Sequence, residues 1–175
     1  GFAAKVVDFF REMGALQALM TWGGASSETM KNVVGNSQTI IRNFDPLYTS
    51  ATNLAEVFRT YGKTLESSQL LFMLLTGPAL SDAGMTQMAA NTKVLANSYS
   101  DVVNMAVKID DIAKLTGANF SGTQMILALA MGPALTTDTI QGILNNTDVL
   151  QRNIQSFNTS ATNLAEVFRT YGKTL

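Results

Sequence analysis

The seventeen residues from Thr49 to Leu65, TSATNLAEVFRTYGKTL, recur without a change from Thr159 to Leu175, every number raised by 110. A second signature halves that interval. Gln69 to Leu80, QLLFMLLTGPAL, returns with every number raised by 55 as Gln124 to Leu135, QMILALAMGPAL. A looser copy of the same junction is Leu19-Met20-Thr21-Trp22-Gly23-Gly24-Ala25, in which Gly24 stands where the prolines stand. Periods of this size belong to stacked architectures, in which each unit buries its apolar face against its neighbours. The 175 residues divide into approximate units 1–65, 66–120 and 121–175. They suit one repeat domain better than two separate cores.

Apolar spacing predicts helix rather than strand. In the first unit Met30, Val33, Ser37, Ile40, Phe44, Leu47, Ala51, Leu54, Phe58, Tyr61 and Leu65 step by alternating threes and fours. That is a seam of period 3.5, the heptad spacing of packed helices. Adding 55 leads from Met85 and Met88 through Leu95, Val102 and Ile109 to Phe120; adding 110 leads from Ile140 and Ile143 through Leu150, Phe157 and Leu164 to Leu175. The middle copy shares only Ala106 and Gly117 with the duplicated segment, so packing chemistry persists where identity does not. The expected fold is all-α, with tandem helical repeats of about 55 residues arranged as a bundle or a short α-solenoid.

Each seam carries a hydroxyl at the same depth, Ser37, Thr92 or Thr147. Such a group either bonds back to its own helix or fixes register between helices; the first is the expectation here. Gly62, Gly117 and Gly172 suit helix stops. Whether each long segment is continuous turns on Asp45-Pro46, a good cap and first-turn pair. The corresponding stretches Asn97 to Asp101 and Ser156 to Ser160 are poor helix interiors. A break or strong bend is expected in at least the first copy; breaks throughout would give hairpin-like units that stack as a solenoid, whereas the seam running on through copies two and three suits long helices, with a kink at Pro46 in the first.

Composition excludes several functions. There is no Cys and no His, so the usual thiolate or imidazole nucleophiles, bases and metal ligands are missing. Twelve basic and thirteen acidic side chains leave a formal charge of -1, with no basic field to draw in nucleic acid. The apolar run Leu70 to Leu75 is far short of the roughly 20 residues that span a bilayer. Asp8, Arg11 and Glu12 interrupt what would be the core of a signal peptide. A start without Met, and a duplication with abrupt edges, are expected of an array cut from a longer repeat protein or given a grafted last helix. The compartment cannot be read.

Motifs that suggest chemistry have simpler readings. Gly62-Lys63-Thr64 resembles the tail of a phosphate-binding loop, but the earlier Gly that loop requires falls on Val57. Glu56 with Arg59 and Glu166 with Arg169 are surface pairs one helical turn apart. Asp110-Asp111 lacks the further oxygens a hard cation needs. Three matches to the glycosylation pattern, at Asn119, Asn145 and Asn158, are expected by coincidence in an Asn- and Thr-rich chain. Trp22-Gly23-Gly24 resembles the Trp-x-Gly turn of small secreted helical-hairpin proteins of the WXG type, with Tyr61 ending the following helix. Thr76 and Met131 occupy the matching positions, so Trp22 reads as the N-terminal variant of a repeat junction, and no secretion role is carried over.

The short apolar segments carry the remaining signal. They are apolar all round, which predicts burial on every side. Leu70, Phe72, Met73 and Leu74, with Met125, Leu127, Leu129 and Met131 and with Trp22, are expected to form an apolar layer, either core or a surface for an apolar ligand or partner helix. The expected function is non-enzymatic: a structural or interaction element that self-associates or joins a larger assembly. The alternative is a carrier for a lipid or other apolar ligand in that layer. No cofactor or metal is expected.

Overall fold

A computed structural model of the chain describes residues 27–152. Among the described residues there are eight α-helices and no strand. They are α1 (Ser27–Arg42), α2 (Phe44–Tyr61), α3 (Ser67–Thr76), α4 (Asp82–Asn97), α5 (Tyr99–Thr116), α6 (Gly122–Met131), α7 (Thr137–Asn145) and α8 (Thr147–Arg152). Adding 55 to the bounds of α1, α2 and α3 gives those of α4, α5 and α6, and the same step leads from the start of α4 to the start of α7. Trp22, Gly172, Leu164 and the stretch Ser156 to Ser160 lie outside the described residues.

Local chemistry sets the ends. α2 stops at Gly62 and α5 at Gly117, with φ of 79° and 70°, the left-handed region that a Cβ disfavours. The Gly62 N–H closes α2 by donating to Phe58 O. Ser81, Ser121 and Thr136 cap α4, α6 and α7, each side chain accepting an N–H from the first turn. At the start of α3, Gln69 reaches back to accept the Glu66 N–H at 3.0 Å.

The long segments do break. The first breaks at Asn43, two residues before the expected Asp45-Pro46, which falls inside the first turn of α2. Pro46 is harmless there, because the N–H it lacks would have had no partner. Asn43 Nδ2 donates both to Thr39 O (2.7 Å) and to Asp82 Oδ1 (2.7 Å), tying the bend to the start of α4. Asp82 also accepts from Arg42 at 3.3 Å. The Asn43 bond, and then the Arg42 charge, hold the Asp82 carboxyl below its usual pKa. The second break is at Ser98, inside the expected stretch. A third falls at Asn146, in the run Asn145-Asn146-Thr147-Asp148, which lies before the expected stretch Ser156 to Ser160.

These breaks do not produce hairpins. α1 and α2 touch little beyond their junction, and the same holds for α4 and α5. Each pair is a bent rod whose neighbours come from elsewhere in the chain. α2 lies along α4 and also meets α5; α5 takes α7 and α8 in turn. α3 sits on α1, and α6 on both α4 and α5.

The seam faces inward. Val33, Ile40, Leu47, Leu54, Leu95, Val102 and Ile109 are all fully buried. Tyr99, the seam counterpart of Phe44 just past the second break, is instead exposed, as is Thr116, the counterpart of Tyr61. Ser37 and Thr92 bond back to their own helices, at Val33 O and Ala89 O, and Thr92 also accepts from Asn53 of α2, while Thr147 reaches across the third break to Leu144 O. Trimming a buried seam residue removes packed methyl groups and leaves a cavity. Leu54→Ala and Ile109→Ala should each cost about 2–5 kcal/mol in urea unfolding. Phe72→Ala, at a side chain 53% exposed, should cost under about 1 kcal/mol; equal losses at all three positions would contradict this packing.

Candidate functional site

The apolar layer is only partly a layer. Leu70, Leu74, Met125, Leu127 and Leu129 are buried, as are Leu71 and Leu75. Met73 is half-buried against the core. Phe72 and Met131, at 53% and 37% exposure, face solvent. Burial on every side, the expectation for both short helices, therefore does not hold. Each rests on one or two neighbours and keeps an outer face, which its all-round apolar composition hides.

Two asparagines that the seam pattern does not single out hold these short helices in place. α3 ends at Gly77-Pro78, because the residue before a proline is kept out of helical conformation. Proline also has no N–H, so the Leu74 carbonyl loses the donor that a continuing helix would present four residues on. Asn36, buried in α1 at 1% exposure, supplies the replacement. Its Nδ2 lies 3.1 Å from Leu74 O, 3.0 Å from Leu75 O, 3.3 Å from Gly77 O and 3.4 Å from Pro78 O. Its Oδ1 accepts the Leu80 N–H at 2.8 Å. Thr39 completes the clasp by donating to Leu80 O at 3.2 Å.

The asparagine part of the arrangement recurs at α4 and α6, without a Thr39 equivalent, since Val94 holds that place. Asn91, also 1% exposed, places Nδ2 within 3.3 Å of Leu129 O, 3.2 Å of Ala130 O and 3.0 Å of both Gly132 O and Pro133 O. Its Oδ1 accepts the Leu135 N–H at 2.8 Å. Every group in the second clasp lies one full period after its counterpart in the first. Asn36, Asn91 and Asn146 each stand one residue before the seam hydroxyl, in register with the period. That recurrence was the available signal.

A separate polar junction joins α2, α5 and α6. Tyr61 Oη donates a short hydrogen bond to Asp110 Oδ2, and Gly122 N donates to Asp110 Oδ1 at 2.7 Å. A Cβ on Gly122 would run into Ala106 O and Tyr61 Oη, so only glycine lets α6 close onto α5 here. Burial, reinforced by Asp110, pushes the Tyr61 phenol above its ordinary pKa. It therefore stays protonated and donating at neutral pH. The stability it adds is full below the usual tyrosine value of about 10 and is lost as pH rises through the raised value. Asp110 is thus taken up in packing, and no group of three carboxylates that could hold a metal ion occurs among the described residues.

Two open spaces border these features. A groove of about 180 Å³ runs past Met73, Pro78, Met85, Met88 and Met131. A wider one, about 390 Å³, is edged by Lys63, Asp110, Asp111 and Lys114. No helix among the described residues is long and apolar enough to cross a membrane. Comparison with protein-family models, curated proteins and solved structures finds no match to this chain.

Asn91→Ala removes the side-chain donor to the Ala130 carbonyl and the acceptor of the Leu135 N–H. The expected loss is about 1–3 kcal/mol, read from denaturant midpoints. Asn91→Asp should cost more than Asn91→Ala at pH 7, where a carboxylate faces carbonyl oxygens. Burial and those oxygens raise the carboxyl pKa, so the penalty relative to wild type should shrink near pH 4, where the protonated acid donates. An Asn91→Asp penalty independent of pH would contradict the donor role.

Proposed function

We propose that this chain is a non-enzymatic tandem α-helical repeat with a unit of about 55 residues, a little longer than the roughly 20–50 residues usual for stacked repeats. It acts as a structural or interaction element whose units stack on one another and on further units of an assembly. The observation that carries this reading is the recurrence of the clasp. Two buried asparagines, one period apart, hold two Gly-Pro turns through the same backbone atoms. The shared offset of the helix bounds supports it as well. In such an array each unit is stabilised largely by its neighbour, and this favours growth by addition.

The alternative, a carrier for a lipid or other apolar ligand, draws on the methionine-edged groove. Its volume, about 180 Å³, is close to that of an apolar cavity that admits a benzene ring. Small-molecule sites usually begin at about 300 Å³. The wider space is edged by charges unsuited to an acyl chain. Burial of the Leu/Met segments against α1, α4 and α5 supports the packing role better.

Removing one period tests the reading. Deletion of residues 66–120 joins Leu65 to Ser121 and offers the α6 turn to Asn36 in place of the α3 turn. The product should remain helical and unfold cooperatively by circular dichroism, whereas deletion of residues 66–110 should not. Light scattering of the full chain should show mass rising with concentration. Equal disruption by both deletions, together with a monomer at every concentration, would refute the proposal.

A further inference from the structure

Methionine gathers at one place in the fold. The groove of about 180 Å³ is edged by Met73 of α3, Met85 and Met88 of α4, and Met131, the last residue of α6. Four of the chain's nine methionines thus reach one space from three helices. Met85 and Met88 are buried, Met73 is half-buried and Met131 is partly exposed. Packing within the repeat does not call for thioethers there. One period on, the places of Met73, Met85 and Met88 are held by Ala128, Ile140 and Ile143. Ile140 and Ile143 are as well buried as the methionines they answer to. One period back, Val33 stands for Met88 and Thr76 for Met131, and only Met30 repeats a methionine, at the place of Met85. Three of the four positions therefore carry sulfur in this unit alone among the described residues.

Sulfur chemistry sets what such a space can take. A thioether is a soft, neutral donor, and soft donors select Cu(I) over hard cations. The chain has no Cys and no His, so thioethers are its only sulfur donors and no imidazole competes with them. With three rotatable bonds, each methionine can swing its sulfur toward a common centre. The other lining side chains carry no carboxylate or amide, and the Ser81 hydroxyl is engaged in capping α4. Neutral ligands in an apolar setting do nothing to offset a divalent charge, whose burial costs far more than that of a single charge. We infer that the groove between α3, α4 and α6 is a site for a soft monovalent metal ion, Cu(I), held by the thioether sulfurs of Met73, Met85, Met88 and Met131. The site does not depend on whether the chain assembles.

The test uses the full chain with Ag(I), an air-stable soft monovalent ion, and with Cu(I) kept reduced and offered in competition with a chromophoric chelator. A single equivalent of either should bind. In spectra of isotope-labelled methionine methyl groups, the signals of Met73, Met85, Met88 and Met131 should move together while those of Met105 and Met125 stay. Met88→Ile and Met131→Thr each install the residue that the chain itself carries one period away, so both should fold. Each should weaken binding by at least the roughly tenfold that loss of even an outer contact costs a metal site. Met125→Leu, which copies Leu70, should change nothing. Failure of both ions to bind overturns the inference, as does undiminished binding to either groove variant. So do methyl shifts spread evenly over all the methionines or confined to ones outside the groove, which would mean unspecific or different sulfur contacts.

Discussion

A proline two residues past a helix end removes a backbone donor, and the carbonyl four residues earlier must find another or be buried without one. Pro78 creates this deficit at Leu74, in a position closed to bulk water. A buried unsatisfied carbonyl costs about 1–3 kcal/mol. A carboxamide is well suited to the repair, because it carries a donor for the carbonyls and an acceptor for the next free N–H. Asn36 and Asn91 use both ends, on Leu74 and Leu80 in one case and on Leu129 and Leu135 in the other. Hydrophobic burial brings α3 against α1 and α6 against α4 without fixing where along the rod they stop. The asparagines fix that.

The bent rods then pack through their seams. Leu47, Leu54, Val102 and Ile109 are shielded completely, and the long contact of α2 along α4 carries the chain from one rod to the next. The polar links reinforce the same junctions. Asn43 ties a bend to Asp82 at the start of α4, and Asp110 ties Tyr61 at the end of α2 to Gly122 at the start of α6. Few charges take part, in keeping with a chain only 14% charged. Amides and hydroxyls make most of the polar links.

The sequence reached the helices through periodicity and the helix stops through Gly62 and Gly117. It also reached the first break to within a few residues through Pro46, while at the second it left a continuous helix open beside the poor interior of Asn97 to Asp101. Three features escaped it. Phe72 and Met131 face solvent, since composition alone cannot tell a helix covered on one side from one covered on all. The bent rods do not fold into hairpins, since chain partners are not encoded in local pattern. The asparagines hide behind the adjacent hydroxyls, because a lone polar residue beside a seam looks like surface. Only the register of Asn36, Asn91 and Asn146 sets them apart, and its meaning requires seeing which carbonyls the prolines have orphaned.

Amide hydrogen exchange tests the clasp most directly. Leu80 and Leu135 lie outside every helix, in turns whose backbone N–H groups ordinarily exchange freely. If Asn36 and Asn91 hold them as described, both amides exchange as slowly as those of buried residues in α2 and α5. Exchange at the rate of an open loop would mean that the turns are not clasped, and the account of how the short helices are positioned would fall.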